Sequence, residues 1–205
     1  MDEKVQAVLN AYHARMREEE RLREGRGPGG EDWRDRSLLA VGPETGRLIN
    51  IVARRLEAPT MLELGTSYGY SGIWLGEAAR ASGGRLITIE LQAYKSAYAR
   101  EMATRAGLAD HIDHRVGDAV AMIGAMSQGI DFVLLDLWKH LYVPCLEAFY
   151  PKLNPGAIVV ADNMLRPGGE EVEAYSRAVR AKSGMTSVLL PVGTGIEISR
   201  YEPAR

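Results

Sequence analysis

Apolar positions along this chain fall into two rhythms. Near the start, Val5, Val8, Leu9, Tyr12 and Met16 recur at helical spacing and predict an amphipathic helix. After Pro43, which suits a first helical turn, Leu48, Ile49, Ile51, Val52 and Leu56 predict a second. From there the rhythm changes. Short apolar runs at Thr60–Leu64, Arg85–Glu90, Ile112–Val116, Asp131–Asp136 and Ala157–Ala161 read as strands, and helix-like segments lie between them at about 71–81, 92–106, 119–126, 142–153 and 169–182. Such runs separated by helices indicate a parallel sheet covered on both faces. Ser187–Val192 and Ile196–Tyr201, joined through Gly193, Thr194 and Gly195, read as a hairpin at a sheet edge. The expected fold is α/β, a doubly wound and mostly parallel sheet with a C-terminal antiparallel hairpin, with ligands at the carboxyl ends of the strands.

Between the first two helices, residues 17–36 are charged and carry Gly25, Gly27, Pro28, Gly29 and Gly30, the composition of a mobile loop. The chain therefore divides into an N-terminal helix and loop, 1–36, and a main domain, 37–205. The loop reads either as a solvated linker or as a lid that brings Trp33 over a pocket. With 25 basic against 27 acidic residues the net charge is −2, which argues against bulk electrostatic binding to nucleic acid or anionic membrane while leaving room for a local basic patch. The single cysteine, Cys145, excludes an internal disulfide and a Cys-rich zinc site and suits a reducing compartment. The N-terminal sequence has no apolar core of signal-peptide length, and no run is long enough to span a bilayer, so a cytoplasmic protein is expected.

The candidate chemistry gathers at strand ends. The first strand runs into Gly65, with Gly69 and Gly72 following and a helix starting near Ser71. Glycines there allow a sharp turn and a close approach of a ligand to the main chain. The spacing G-x-x-x-G-x-x-G is not the dinucleotide fingerprint G-x-G-x-x-G. Glu63 lies in the strand end, and Glu90 closes the next strand, where an acid can accept from both hydroxyls of a ribose. A nucleoside cofactor without a pyrophosphate fits this pair, and S-adenosylmethionine is the common one. The competing reading is a ligand-free turn with a surface Glu90. Asp118, after the third strand, either borders the adenine or caps the helix that starts at Ala119. The fourth strand ends at Asp136 and the fifth at Asp162–Asn163, so two carboxylates and an amide oxygen project to one sheet edge. Hard oxygen donors without sulfur or imidazole favour Mg²⁺, or Mn²⁺ or Ca²⁺, over zinc or copper. Lys139 lies three residues beyond Asp136, within reach of a group held by that metal. The histidines His13, His111, His114 and His140 show no ligand spacing.

In the segments LELGTSYGYS, LITIE, LDLWKHLYVP, ADNMLRPG and LPVGTGIEIS the chain resembles the metal-dependent O-methyltransferases, the group of catechol and caffeoyl-CoA O-methyltransferases. The resemblance covers about Leu39 to Tyr201 and implies a Rossmann-like class I methyltransferase fold. It implies metal ligands at Asp136, Asp162 and Asn163, a catalytic Lys139, and Glu90 as the ribose acid, with Asp136 also on the cofactor side. It implies that Glu63, Gly65, Tyr68, Tyr70 and Ser71 hold the methionine portion of the cofactor, that Leu39, Ala40 and Val41 lie across it, and that Trp138 lies beside the adenine. Trp74 reads as ordinary packing. Two features depart from the catechol enzyme. The acid that contacts the substrate's second hydroxyl there has no counterpart, its position falling on Val188, and the pocket tryptophan before Leu39 is missing unless Trp33 takes its place.

The implied reaction is Mg²⁺-dependent methyl transfer from S-adenosylmethionine to a hydroxyl of a catechol-like small molecule. A second reading keeps the chemistry and changes the substrate to a hydroxylated uridine of tRNA, contacted by Arg15, Arg17, Arg21, Arg23, Arg26, Arg34 and Arg36, which alternate with acids. A third is a non-catalytic cofactor-binding protein. The resemblance also suggests a homodimer.

Overall fold

The structure, a computed structural model, describes residues 1–24, 35–127 and 129–203. Trp33, and with it the lid reading, lies outside the described residues. A long helix α1 (Glu3–Glu24) and a helix α2 (Pro43–Ala53) precede the first strand. The chain then alternates β1 (Thr60–Leu64), α3 (Tyr70–Ser82), β2 (Arg85–Glu90), α4 (Ala93–Arg105), β3 (Ile112–Val116), α5 (Ala119–Ala125), β4 (Ile130–Leu135), α6 (Tyr142–Phe149), β5 (Leu153–Ala161) and α7 (Glu170–Ala181). The hairpin β6 (Met185–Leu190) and β7 (Ile196–Tyr201) closes it. The strands form one seven-stranded sheet in the order β3-β2-β1-β4-β5-β7-β6, with β7 and β6 antiparallel and the rest parallel. This is the α/β, mostly parallel fold that the apolar pattern predicts.

Side chains alternate between the sheet's faces along each strand. Met61, Phe132, Leu134 and Val160 pack with α1–α4, and Leu62, Leu64, Val133, Leu135, Val159 and Ala161 pack with α5–α7. Each fully buried leucine contributes roughly 1.5–3 kcal/mol by leaving water, so the runs that read as continuous apolar are apolar because both faces are covered. Polar residues interrupt these faces at a few places, among them Glu63, which takes a buried position on the α1–α4 side of β1, and Thr88 beside it in β2.

Boundaries differ where proline intervenes. The expected helix over 142–153 stops at Phe149, and Tyr150–Lys152 makes a tight 3₁₀ turn around Pro151, which has no N–H to continue the helix. The fifth strand starts at Leu153, four residues before the apolar run, because Asn154, Pro155 and Gly156 are carried in a register shift opposite Ile130 and Phe132. β4 ends at Leu135, so Asp136 stands just past the strand, and Pro191 ends β6 short of Val192.

Helix α1 belongs to the core. Val5, Val8, Leu9 and Tyr12 are buried, and Tyr12 donates to the Tyr68 carbonyl at 2.6 Å. Farther along α1, Glu19 accepts from Leu38 N–H at 3.1 Å, and Arg15 donates to the Arg36 carbonyl at 2.6 Å. From the other side, Ser67 donates to the Leu38 carbonyl at 3.0 Å and Asp35 pairs with Lys95 at 3.2 Å. Residues 35–38 are thus tied between α1 and the turn after β1.

The parallel ladder continues past the strands. Gly65 N–H donates to Ile89 O (3.1 Å), Asp136 N–H to Leu64 O (2.9 Å) and Asp162 N–H to Leu135 O (3.1 Å). Each strand's last rung places the first residue of the following loop, so Glu90, Gly65, Asp136 and Asp162 line up across four neighbouring strands. Gly65 makes this possible: its φ is +97°, and a Cβ there would stand 2.1 Å from the Asp136 carbonyl oxygen. Gly65→Ala is expected to lower stability by ~2 kcal/mol or more, read as a lower urea midpoint at unchanged slope; an unchanged midpoint contradicts the tight approach.

Candidate active site

At the β2 end of the row, both Glu90 oxygens accept backbone N–H groups, from Ser67 at 2.7 Å and Gln92 at 3.0 Å. A carboxylate has about four acceptor sites, so Glu90 is oriented by the main chain while keeping capacity for two ribose hydroxyls. Ser67 reaches it at φ +46°, and Gly69, at φ +90°, leads into the first turn of α3. Ser71 lies in that turn and is buried. Asp118 caps α5, accepting from Ala121 N–H at 2.8 Å.

Glu63 lies beneath the glycine-rich turn with no exposed surface. Its Oε2 accepts from Thr88 Oγ1 at 2.5 Å, and Oε1 has no partner among the described residues. Burial pushes its carboxyl up to about 7, against the pull of hydrogen bonds from Ser71 and Thr88. A buried, half-satisfied carboxyl carries a cost that a cationic partner would lower.

The aromatic residues of the turn divide. Tyr68 donates to the Asp35 carbonyl at 3.1 Å, and the Arg15 guanidinium lies 4.5 Å from its ring centroid. Tyr70 is turned toward α1, edge-on to Tyr12 and within 2.9 Å of His13 Nε2, so its ring serves packing and only its backbone helps to open α3. Trp74 is buried against Tyr70, the packing role expected of it. Val41 is buried beside α2. Trp138, in contrast, is 62% exposed, and Leu91 and Leu39 are exposed too. Leu91 and Trp138 closely follow the ends of β2 and β4, so apolar surface is left open at this edge of the sheet. Val188 lies in the outer strand β6, separated from β5 by β7 and exposed, so it is not part of the row.

The ends of β4 and β5 converge on one lysine. Lys139 Nζ donates to Asn163 Oδ1 at 2.6 Å and Tyr142 Oη at 2.7 Å, and lies 3.5 Å from Asp136 Oδ1. Tyr142 in turn donates a hydrogen bond to the Asp162 carbonyl at 3.0 Å. Thr194, from the β6–β7 turn, donates to Asp162 Oδ1 at 2.8 Å and accepts from Asn163 Nδ2 at 3.0 Å. Asp162 Oδ2 is buried and has no partner among the described residues. Burial raises Asp136, against the attraction of Lys139, and burial with the neighbouring Asp136 charge pushes Asp162 up to about 7. Asn163 holds φ +59°, a left-handed turn that asparagine tolerates and that swings its amide back over the strand end. Among the described residues no three His, Cys, Asp or Glu side chains gather as a metal site; the oxygens at the ends of β4 and β5 come from two carboxylates and an amide.

A family profile described as a methyltransferase domain matches residues 62–164, which span β1 to the end of this cluster. The catechol O-methyltransferase of Sus scrofa is 31% identical over 146 residues, 68% of this chain and 78% of that protein. The chain belongs to the S-adenosylmethionine-dependent O-methyltransferases. A catechol O-methyltransferase of Niastella koreensis is 32% identical over 134 residues, 63% of this chain and 60% of its own length, so the match spans less than two thirds of that relative. Among solved structures of O-methyltransferases, TomG from Streptomyces achromogenes, involved in tomaymycin synthesis and bound to SAM, aligns over 98% of this chain and 91% of its own. That alignment has a TM-score of 0.73 at 25% identity. The Bacillus cereus O-methyltransferase in complex with SAH shares the fold at a TM-score of 0.76 and 22% identity, covering 98% of this chain and 92% of that one.

In this methyltransferase the structure brings Lys139, Asp136, Asp162 and Asn163 together and sets Glu63, Gly65 and Glu90 along the same edge. Sequence reasoning missed Tyr142 and Thr194. The first carried a signal, since a tyrosine three residues after a lysine shares its side of a helical turn. The second was visible only as the middle of a turn.

Glu63 gives the apo-protein a pH signature. Its carboxyl rises from 4.5 in the unfolded chain to about 7 on folding, so the folded state binds the proton more tightly. The stability this contributes is complete below pH 4.5 and is lost as pH climbs through 7. Between those limits wild type should lose on the order of 2–3 kcal/mol more than Glu63→Gln in urea unfolding. Parallel profiles for the two proteins contradict this.

Proposed function

We propose that this chain transfers the methyl group of S-adenosylmethionine to one hydroxyl of a catechol-like small molecule, with a divalent cation, Mg²⁺ by preference, held by Asp136, Asp162 and Asn163. The observation that carries the reading is the buried Asp162 Oδ2, which has no partner among the described residues, next to two further oxygens that already attract a lysine ammonium. Hard oxygens that lack a proton donor suit a hard cation. No helix among the described residues is long and apolar enough to cross a membrane.

When bound, such a cation supplies Lewis acidity to the oxygens of a vicinal diol, which eases formation of the nucleophilic anion and fixes its direction. The protein's own groups do the rest. Glu90, held by two backbone N–H groups, orients the ribose, and Glu63 offers its free oxygen to the cofactor's ammonium. Trp138, Leu39 and Leu91 supply apolar surface for adenine and the substrate ring. Lys139, steered by Tyr142 and acting as the free amine after giving up one ammonium proton to solvent, takes the proton from the hydroxyl whose oxygen accepts the methyl, while the sulfonium leaves as a neutral thioether. Positioning dominates, because the sulfonium already activates the methyl, and a near-attack geometry can contribute up to ~7–11 kcal/mol.

The tRNA reading finds less support. Arg15 pairs with Glu19 at 2.8 Å and lies against Tyr68, and Arg21 pairs with Glu18, so these two arginines already have partners, while Arg26 and Arg34 lie outside the described residues.

Methyl transfer from labelled S-adenosylmethionine to 3,4-dihydroxybenzoate or caffeate should proceed with Mg²⁺ and stop with EDTA. Lys139→Ala is expected to lower turnover by ~10²–10⁴ at nearly unchanged cofactor affinity. Activity that survives EDTA, or that survives Asp136→Ala and Asp162→Ala, contradicts the metal clamp.

A further inference from the structure

The hydrogen bonds at the end of β5 have a fixed direction. Thr194 donates its one hydroxyl hydrogen bond to Asp162 Oδ1 at 2.8 Å, the direction that a carboxylate oxygen ready to hold a cation requires, since such an oxygen can only accept. The Thr194 oxygen is then an acceptor toward its other neighbour, and Asn163 must present its NH₂ group, which it does at 3.0 Å. That choice turns Asn163 Oδ1 the opposite way, where it meets the Lys139 ammonium at 2.6 Å. The same hydroxyl occupies one oxygen of Asp162 and leaves Oδ2 free. One hydroxyl therefore decides which atoms of two side chains face a cation.

Thr194 is itself rigidly mounted. Its carbonyl accepts from Leu165 N–H at 3.0 Å and Arg166 N–H at 2.8 Å, and the Gly195 carbonyl accepts from Met164 N–H at 2.9 Å. These bonds tie the β6–β7 turn to the loop that follows Asn163. The flanking glycines allow the approach: a Cβ at Gly195 would stand 2.5 Å from Leu165 Cγ, and one at Gly193 2.6 Å from Thr45 Oγ1. The Gly-Thr-Gly sequence is more than a hairpin turn. It is a mount for a hydroxyl, with neighbours small enough to bring it against the strand end.

We infer that Thr194 is a positioning residue for the divalent cation, setting the Asn163 amide and the Asp162 carboxylate in the orientation that binds it; the inference rests on the metal reading above. Side chains that orient metal ligands typically affect affinity ~10–100-fold when removed. The test is Mn²⁺ alone, titrated into wild type, Thr194→Val and Thr194→Ser and followed by electron paramagnetic resonance, with S-adenosylmethionine affinity measured separately by calorimetry. Thr194→Val should weaken Mn²⁺ binding ~10–100-fold, Thr194→Ser should restore it close to wild type, and cofactor affinity should hold in both. Equal Mn²⁺ affinity in wild type and Thr194→Val overturns this inference alone. A Thr194→Val loss of cofactor affinity in step with Mn²⁺ affinity marks a merely structural role and overturns it as well. Absence of Mn²⁺ binding in wild type contradicts the metal reading itself and takes this inference with it.

Discussion

The site depends on the parallel ladder running one rung past the strands. Because Gly65, Asp136 and Asp162 each donate to the penultimate or last strand carbonyl of a neighbour, the sheet and not the loops decides where the site's polar groups begin. A ladder hydrogen bond is individually modest, about 1 kcal/mol net, but these are backed by strands buried on both faces. The consequence is geometric. Glu90, the glycine-rich turn and the oxygens of Asp136, Asp162 and Asn163 follow one another along one edge, and a side chain on Gly65 would push the middle of that edge apart.

On this edge the protein gathers charge that its net value conceals. A chain with formal charge −2 places Glu63, Glu90, Asp136 and Asp162 on four adjacent strand positions. Two of them, Glu63 and Asp162, have no exposed surface and keep an oxygen without a partner among the described residues. Buried carboxyls left this way cost stability, and the arrangement makes sense if cations restore the balance, a sulfonium amino acid at one end and a divalent metal at the other. In the protein by itself, Lys139 supplies part of that compensation, its ammonium resting on Asn163 and near Asp136.

Much of this was legible in the sequence, for definite reasons. Strands covered on both faces write themselves as unbroken apolar runs, so the fold could be read, and an acid or amide directly after such a run can only stand at the carboxyl edge. What was hidden depended on long-range contact. Nothing local distinguishes the threonine of a Gly-Thr-Gly turn from any turn residue until β7 inserts beside β5 and brings it against Asp162 and Asn163. The direction of the Tyr70 ring was hidden too: it sits within the cofactor-loop motif, and only the presence of α1 shows that the ring packs edge-on against Tyr12. The strand start at Leu153 was missed because a proline and a glycine inside a strand disguise it until the register shift opposite β4 is seen.

The central claim is that the oxygens at the ends of β4 and β5 form a single divalent-cation site next to the cofactor. The most direct measurement is anomalous diffraction from crystals soaked in Mn²⁺ together with S-adenosylhomocysteine. The account predicts one strong anomalous peak bounded by Asp136, Asp162 Oδ2 and Asn163 Oδ1, with the Lys139 ammonium moved off Asn163. A peak elsewhere, or an ordered S-adenosylhomocysteine with no peak and Lys139 still seated on Asn163, would contradict it.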